Sequence, residues 1–334
     1  MKKNKIICVV GPTASGKTGL GVRIAKKLSA KGRLASGWNG AEIVSADSRQ
    51  VYKGLDIGTG KDLDEYRGIK YHLIDICEPG EEFNLFDWLK LANVSIKDIH
   101  SRRKIPIIVG GTGLYIQALT QGFVLENDKN RISNAKQKSN DKYQKKYSRK
   151  QLEAKSLGEL QKIYYSLPST NYQLDKDNPH RLIRAIEKNH SGEKASKSKP
   201  KYDFLQIGIK WPKEELNKRI DDRAEDWFKN GLLKEILHLL KDGVEPEWLN
   251  KIGLDYKIVT NYLLEGQKVK SREEIFEYRG PGFQEMLAEL KIKIHQYAKR
   301  QMTWFKRFPE INWVEGKEHK KAEKLINTFL GLDK

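Results

Sequence analysis

The residues with the clearest chemical pattern are positions 11–18, which directly follow the apolar run at positions 6–10. They read Gly11, Pro12, Thr13, Ala14, Ser15, Gly16, Lys17 and Thr18. This order matches the phosphate-binding pattern G-x-x-x-x-G-K-[ST], and a helical pattern follows it. Backbone N–H groups of such a loop, together with the helix N-terminus, bind a diphosphate or triphosphate. We expect Lys17 to reach the outer phosphates and Thr18 to hold Mg²⁺.

Two other polar positions also follow apolar strands. Asp47 ends the predicted strand at residues 42–46, and Thr112 lies in the glycine-rich turn after the predicted strand at residues 105–109. The carboxyl ends of parallel strands meet at one edge of a sheet, so both should lie beside the phosphate loop. Asp47 could act there as a base or as an outer-shell magnesium ligand, or it could only cap a helix. Thr112 could donate a hydrogen bond to a phosphate or leaving-group oxygen.

One expected residue is missing from this edge. Many phosphate-loop ATPases and kinases carry an aspartate at the end of an apolar strand, where it helps to hold Mg²⁺. Here the most apolar strand, Ile-Pro-Ile-Ile-Val, ends in Gly-Gly-Thr. The sequence therefore argues against ATP hydrolysis and phosphoryl transfer.

The elements that must position these residues alternate between strands and helices. Strands are predicted at residues 5–10, 42–46, 70–76, 105–109 and 204–209, and helices after the phosphate loop, at 86–99 and from 114. Because several of these strands are apolar on both faces, the pattern predicts an α/β fold with a parallel sheet covered by helices on both sides. Residues 213–240 and 272–306 are predicted to be mostly helical.

The pattern changes in the middle of the chain. Residues 126–150 are almost all polar and mostly basic, short helices are predicted at 151–167 and from 179, and residues 190–201 resemble a basic linker. We therefore predict a core formed by residues 1–122 and 203–334, with a smaller, mainly helical insertion at residues 123–202.

Charge points to a polyanionic partner. The 334 residues include 63 Lys and Arg against 44 Asp and Glu, a net charge of +19. A small phosphorylated metabolite would not require this excess, whereas a nucleic acid or an anionic membrane surface would. The N-terminal apolar run is too short for a signal peptide or a membrane span, so we expect a cytoplasmic protein that does not bind membranes.

Several motifs together resemble one family. GPTASGKT, SADSRQVYKGLDIGTGK, GGTGLYIQAL, NPHRLIRAIE and YAKRQMTWFKR occur in this order over residues 5 to about 314. They resemble the tRNA dimethylallyltransferases of bacterial type. The resemblance implies a P-loop NTPase-like core, a helical insertion that binds the tRNA anticodon stem-loop, and a monomer. The implied reaction moves the dimethylallyl group of dimethylallyl diphosphate to N6 of adenosine 37 and releases pyrophosphate, with Mg²⁺ as cofactor.

The resemblance also implies residue roles. The phosphate loop would hold the diphosphate, Asp47 would be the general base, and Thr112 would lie by the bridging oxygen of the leaving group. Either Arg219 or Arg223 would be an additional diphosphate-binding arginine. The implied tRNA-binding residues are Asp47, Ser48, Arg49, Gln50, Thr112, Arg131, His180, Arg181, Leu182, Ile183, Arg184, Lys299, Arg300, Gln301 and Arg307.

The chain departs from the family pattern at two motifs. DIGTGK replaces the more usual DIGTAKP, and IGLDYK stands where GYKE-type sequence is common. The main alternative function is a P-loop small-molecule kinase that uses ATP. A nucleotide- and RNA-binding protein without transferase activity, and an enzyme that prenylates free adenine nucleotides, are further alternatives.

Overall fold

The computed structural model describes residues 4–30, 37–124, 147–167, 174–191, 196–265 and 282–332. The chain forms two compact units, one of Met1–Gln121 with Pro200–Lys334 and the other of Gly122–Lys199. These bounds differ by at most three residues from the predicted 1–122 with 203–334 and 123–202. No helix in the described part of the chain is long and apolar enough to cross a membrane.

The larger unit is organised around a parallel six-stranded sheet with the order β3-β2-β4-β1-β7-β8. Its strands are β1 (Lys5–Val10), β2 (Ala41–Ser45), β3 (Tyr71–His72), β4 (Ile105–Gly110), β7 (Asp203–Lys210) and β8 (Ile311–Glu315). The central strand β1 pairs with β4 and β7, so that Val9 lies beside Val109 and Ile207. The predicted parallel sheet is confirmed.

Helices cover both faces of this sheet. The helices of the larger unit are α1 (Lys17–Ala30), α2 (Leu85–Ser101), α3 (Gly113–Thr120), α7 (Lys213–Lys229), α8 (Leu232–Lys241), α9 (Pro246–Ile252), α10 (Leu254–Glu265), α11 (Phe283–Phe305) and α12 (His319–Leu330). One face packs on α1 and α12, and the other on α2, α3 and the end of α11. Helices α7 to α11 share a further core with the segment after β2. Every central strand is therefore buried on both sides.

The smaller unit has its own core. It contains helices α4 (Arg149–Glu153), α5 (Leu157–Tyr165) and α6 (Pro179–Ser191), and a short hairpin of β5 (Phe123–Val124) and β6 (Ser196–Lys197). Helices α4 and α5 each begin with a capping box, at Ser148 and Ser156. The predicted helix over residues 151–167 is thus two shorter helices, because Ser156 starts a new one.

The strand predicted at residues 70–76 is wrong beyond its first residues. Only Tyr71–His72 pairs in the sheet. Leu73 and Asp75 adopt left-handed backbone conformations, with φ of +63° and +56°. The Asp75 carboxylate accepts a hydrogen bond from the buried Lys61 ammonium, and its backbone N–H donates to the Gln50 carbonyl at 3.1 Å. The chain leaves the strand to make these contacts, which alternation of apolar residues does not reveal.

Candidate active site

Three loops meet at the carboxyl edge of the sheet. They follow the adjacent strands β1, β4 and β2, and they meet at one cavity that opens to solvent. Thr13, Lys17 and Thr18 come from the first loop and Asp47 from the third, whereas Gly110 is the last residue of β4; Thr112, in the loop after it, is not among the residues that line the cavity. The structure thus brings the phosphate loop and the candidate base to the same cavity, as the strand ends predict.

The conformation of the phosphate loop depends on its glycines. Gly16 has a φ of +84°, in the left-handed region that glycine adopts without strain. A Cβ atom on Gly11 would lie 2.8 Å from the Ser15 hydroxyl oxygen. Ser15 itself is 1% exposed, so the loop folds tightly over its own side chain. Glycines at the first and sixth positions of the motif are therefore required by geometry.

The Lys17 ammonium and the Thr18 hydroxyl of the phosphate loop lie in different environments. Burial of the Lys17 ammonium, only partly offset by the nearby Asp47 carboxylate, lowers the pKa of Lys17 to about 8. Lys17 also donates to the Pro12 carbonyl at 3.3 Å. The Thr18 side chain is hydrogen-bonded to the hydroxyl of Tyr66, a buried residue in the cavity wall.

Side chains from after β7 support the loop from its other side. The Trp211 indole N–H donates to the Ser15 carbonyl at 2.9 Å, and the Arg219 Nε donates to the Ala14 carbonyl at 2.8 Å. The Arg219 guanidinium carbon lies 4.6 Å from the Trp211 ring centroid. Its Nη2 would lie 3.7 Å from a Cβ on Gly16. Arg219 therefore supports the phosphate loop directly.

Arg223, one helical turn later on α7, lines the cavity itself. Its Nη2 lies 3.4 Å from the Gly60 carbonyl oxygen and 3.4 Å from a carboxylate oxygen of Asp62. A Cβ on Gly60 would lie only 1.6 Å from the same Nη2. The glycine that departs from the family pattern thus makes room for a cation in the cavity wall.

The candidate base and the candidate threonine are connected through the backbone. The Asp47 Oδ1 accepts a hydrogen bond from the Arg49 backbone N–H at 2.9 Å. The Thr112 hydroxyl oxygen accepts one from the Ser48 backbone N–H at 3.1 Å. The Thr112 hydroxyl also lies 3.4 Å from the Ser48 hydroxyl. Thr112 makes no helix-capping hydrogen bond to α3.

Glycines on both sides of Thr112 permit close contacts. A Cβ on Gly110 would lie 2.2 Å from the Ala46 carbonyl oxygen, and one on Gly113 would lie 2.3 Å from the Trp304 ring. The turn therefore fits between the end of β2 and helix α11. This explains why the sequence is Gly-Gly-Thr-Gly rather than an arbitrary βα turn.

Gln301 joins two of the three loops. It is 7% exposed, its side-chain oxygen accepts from the Thr13 backbone N–H at 2.8 Å, and its side-chain nitrogen donates to the Gly111 carbonyl at 3.0 Å. Its neighbours Lys299 and Arg300 are exposed. The resemblance places all three among the tRNA contacts. In this structure, however, the Gln301 amide is hydrogen-bonded to two loops inside the site.

Arg49 and Gln50, expected along the path of the target base, are held by several partners. An Nη of Arg49 lies 2.5 Å from a carboxylate oxygen of Asp255, and the guanidinium carbon lies 5.3 Å from the Tyr297 ring centroid. The Gln50 side-chain oxygen accepts from the Ser45 hydroxyl at 3.0 Å. Asp255 was not predicted as a site residue. Its only signal was an aspartate inside the departing motif IGLDYK.

The expected tRNA contacts of the smaller unit lie on α6. His180 and Arg181 are exposed, and Arg184 is partly exposed. Leu182 and Ile183 are only 0% and 2% exposed and belong to the core of this unit, so their side chains pack inside it rather than contact a partner. The predicted contact Arg131 lies outside the described residues.

At the end of α11, Arg307 is exposed and stacks on an aromatic ring. Its guanidinium carbon lies 4.0 Å from the Trp304 ring centroid. Arg300 is similarly placed, 5.8 Å from the Tyr297 ring centroid. Cations next to aromatic faces suit contacts with both phosphates and bases.

The donors at the cavity fit Mg²⁺. The Thr18 hydroxyl and the Asp47 carboxylate are oxygen donors, which Mg²⁺ prefers, and this ion is commonly bound by one or two protein groups together with substrate phosphates. Among the described residues, Glu42, His72 and Asp98 form the only cluster of three potential ligands. Arg102 and Lys104 already pair with Glu42 there, so that cluster is an ion-pair network.

Comparisons with known proteins cover nearly the whole chain. The family described as IPP transferase matches residues 50–308. The chain is 39% identical over 325 residues to tRNA dimethylallyltransferase 2 of Shewanella sediminis, with 95% of each chain covered. It is 40% identical over 329 residues to the protein of the same name from Treponema denticola, covering 93% of this chain and 96% of that one.

Solved structures of two proteins with names of the same kind are also similar to this chain. The tRNA delta(2)-isopentenylpyrophosphate transferase of Staphylococcus epidermidis superposes with a TM-score of 0.63 at 32% identity, covering 98% of this chain and 100% of that one. The full-length tRNA isopentenylpyrophosphate transferase of Bacillus halodurans gives a TM-score of 0.64 at 29% identity, covering 98% and 96%.

Proposed function

The chain belongs to the IPP transferase family, and from this we propose that it is a tRNA dimethylallyltransferase. It transfers the dimethylallyl group of dimethylallyl diphosphate to N6 of adenosine 37 in tRNA and releases pyrophosphate. One observation carries the proposal: the phosphate loop and Asp47 line the same cavity at the carboxyl edge of adjacent strands, with Thr112 hydrogen-bonded to the backbone of Ser48 next to Asp47.

The phosphate loop holds the leaving group in this proposal. As the C–O bond of the donor breaks, negative charge develops on the departing pyrophosphate. Lys17, Arg223 and the N-terminus of α1 stabilise that charge. Both cations line the cavity, and Arg219 supports the loop beside them. Mg²⁺ held at Thr18 would supply further charge neutralisation.

Asp47 acts on the acceptor. The exocyclic amine of adenine is a poor nucleophile because its lone pair is delocalised into the ring. A carboxylate that accepts the amine proton as the new C–N bond forms removes this difficulty. The Arg49 backbone N–H fixes one oxygen of Asp47 at 2.9 Å and orients the carboxylate. The other oxygen is then the proton acceptor.

Thr112 acts between the two substrates. Its oxygen accepts from the Ser48 N–H at 3.1 Å, which leaves its own proton to donate. That proton now faces the Ser48 hydroxyl across a long 3.4 Å contact, which an oxygen of the leaving group can replace. We propose the bridging oxygen of the diphosphate as this acceptor.

The tRNA is bound by the cationic side chains outside the cavity. His180, Arg181 and Arg184 on α6, and Lys299, Arg300 and Arg307 at the end of α11, are the proposed contacts. Phosphate contacts of this kind account for the excess of basic residues in the chain. The target base must leave its stack to reach Asp47, as in other enzymes that modify bases. We also propose that the enzyme is a monomer and works in the cytoplasm.

Transfer of a labelled donor tests the function. Incubation with labelled dimethylallyl diphosphate, Mg²⁺ and an unmodified tRNA transcript should place the label in the tRNA as N6-dimethylallyladenosine, identified by nucleoside mass spectrometry. Asp47→Asn should lose nearly all turnover while tRNA binding is kept. Asp64→Asn, which neutralises an exposed carboxylate, is the matched control. Phosphate transfer from ATP without prenylation would instead establish the kinase alternative.

A further inference from the structure

An ion pair in the cavity wall has no role in the reaction described so far. An Nη of Arg49 and a carboxylate oxygen of Asp255 are 2.5 Å apart, and their side chains are 16% and 4% exposed. Asp255 lies at the start of α10, 206 residues away along the chain. Both residues line the cavity that holds Asp47.

The backbone around this pair is shaped to accommodate it. A Cβ on Gly253 would lie 2.7 Å from the Arg49 Nη1 and 2.7 Å from the Asp255 Oδ1, so a larger residue there would displace one or both side chains of the pair. The Tyr297 ring stacks against the Arg49 guanidinium at 5.3 Å. The guanidinium is thus held by a charge on one side and by an aromatic face on another.

Arg49 connects the pair to the candidate base. While its guanidinium is bound to Asp255, its backbone N–H donates to the Asp47 Oδ1 at 2.9 Å. A displacement of the Arg49 side chain would therefore move the turn that orients the Asp47 carboxylate. Catalysis depends steeply on such placement, since a shift of about 1 Å can reduce the rate on the order of 10²-fold.

The next residue ties the same segment to a second wall of the cavity. The Tyr256 hydroxyl donates to the Glu235 carboxylate at 2.6 Å. Glu235 in turn accepts the backbone N–H groups of Asp56, Ile57 and Gly58 at 2.7, 2.6 and 3.2 Å. Residues 253–256 thus support two loops of the site from one short segment.

Stability alone is a poor explanation for such a pair. Taking two charges out of water costs about as much as their attraction returns, and apolar residues of similar size are often as stabilising. We propose that Asp255 is a positioning residue: it holds the Arg49 guanidinium and, through Arg49, the turn that aims the Asp47 carboxylate at the adenine amine. This inference rests on the proposed function.

Steady-state kinetics of Asp255→Asn with dimethylallyl diphosphate and tRNA test the proposal. Because the diphosphate is bound elsewhere, kcat should fall on the order of 10²-fold while the KM for the donor stays within about twofold. Binding of pyrophosphate with Mg²⁺, measured by calorimetry, should not change. A kcat within about threefold of wild type would overturn the proposal.

A second buried carboxylate separates positioning from folding. Glu42 is 1% exposed and pairs with Arg102 and Lys104 away from the cavity. Glu42→Gln should lower the melting temperature as Asp255→Asn does and yet keep kcat. An equal loss of kcat in both variants at matched loss of stability would show that Asp255 acts through folding alone.

If Asp255→Asn does not fold, the double variant Arg49→Gln/Asp255→Asn is used instead. The double variant removes both charges of the pair and so leaves no unpaired charge buried. Residues that act as a unit give non-additive effects, so its kcat should stay as low as that of Arg49→Gln. Recovery of kcat in the double variant would overturn the proposal. The wild-type protein is assayed in parallel: if it transfers no label, the proposed function itself fails.

Discussion

Lys17 must be charged to bind an anion, yet it occupies a site that disfavours its charge. Burial lowers the pKa of Lys17 to about 8, so the ammonium is present below that pH and is lost above it. We predict that pyrophosphate affinity falls as pH rises through about 8, by up to about tenfold per pH unit for one linked proton. Calorimetric titrations with Mg²⁺ between about pH 6.5 and 9.5 measure this change on both sides of the pKa.

Lys17→Arg is the control, because a guanidinium stays charged over the whole range. Its affinity should be lower at neutral pH but should lack the decrease near pH 8 that the lysine pKa predicts. If wild type and variant show the same pH dependence, the titrating group is the ligand or another residue.

Substitution of Gly60 tests the role of the Arg223 guanidinium in binding the donor. Alanine at this position would have a Cβ 1.6 Å from the Arg223 Nη2, at a φ of +57°. The Arg223 side chain can move, so we expect Gly60→Ala to destabilise the protein by only about 1–2 kcal/mol from its backbone conformation. The displaced guanidinium should raise the KM for dimethylallyl diphosphate about tenfold.

Gly68→Ala distinguishes the two effects. Gly68 has a φ of +80° and no atom within 4 Å of the added Cβ. It should show a similar decrease in the free energy of unfolding and an unchanged KM. A raised KM in both variants would mean that Arg223 is not the cause.

The residues of the site differ in how far the sequence could predict them. Asp47, Thr112 and the phosphate loop each follow an apolar strand, so local patterns and sheet geometry place them together. Asp255 and Gln301 contact the site across 206 and 288 residues of chain. The motif around Gln301 indicates tRNA binding and the motif around Asp255 only departs from the family pattern, so neither indicates these contacts, which exist only once α10 and α11 pack against the loops.

At the scale of elements, helix α11 contacts the loops of the site with one face and exposes cationic side chains on another. Gln301 faces the loops, whereas Lys299 and Arg300 are exposed. Gln301→Glu keeps an acceptor for the Thr13 N–H but places a carboxylate oxygen against the Gly111 carbonyl. We predict a decrease of about 1–3 kcal/mol in the free energy of unfolding and weaker pyrophosphate binding, measured by denaturation and calorimetry.

Lys299→Gln on the same helix should give the opposite pattern. It removes one exposed charge, so tRNA affinity should fall while pyrophosphate affinity and stability remain as in wild type. Weaker pyrophosphate binding by Lys299→Gln, or unchanged binding by Gln301→Glu, would contradict the division of α11 into two faces.

Strands were predicted correctly from the sequence where burial on both faces determines their residues. Strands β1 and β4 are almost uniformly apolar and β7 is buried over its central residues, and the observed bounds of all three lie within one residue of the predicted ones. The segment at 70–76 is rich in apolar residues too, but it follows tertiary contacts of Asp75 with Lys61. Strand β8 and helix α12 were not predicted, although β8 forms the edge of the sheet beside β7 and α12 packs on one of its faces.

At the scale of the molecule, the chain forms two compact units that carry different parts of the proposed function. The larger unit contains every residue of the cavity, and the smaller one carries the exposed cations of α6 around a core of its own. The change from apolar strands to basic polar sequence revealed this division, because a segment that cannot contribute to the sheet must form its own core or remain solvated.

Salt dependence tests the charge of the whole molecule. Each phosphate bound by a cationic side chain releases counterions, so tRNA affinity should fall steeply with salt. Arg181→Gln/Arg184→Gln should lower the magnitude of the slope of log K against log [salt] by about 1 for each arginine that binds a phosphate, and should leave pyrophosphate binding unchanged. Lys320→Gln/Lys324→Gln on α12 removes the same charge from exposed positions outside the proposed tRNA-binding residues. If net charge alone attracts the tRNA, both double variants will shift the slope equally. If α6 binds the tRNA backbone directly, only the arginine variant will do so.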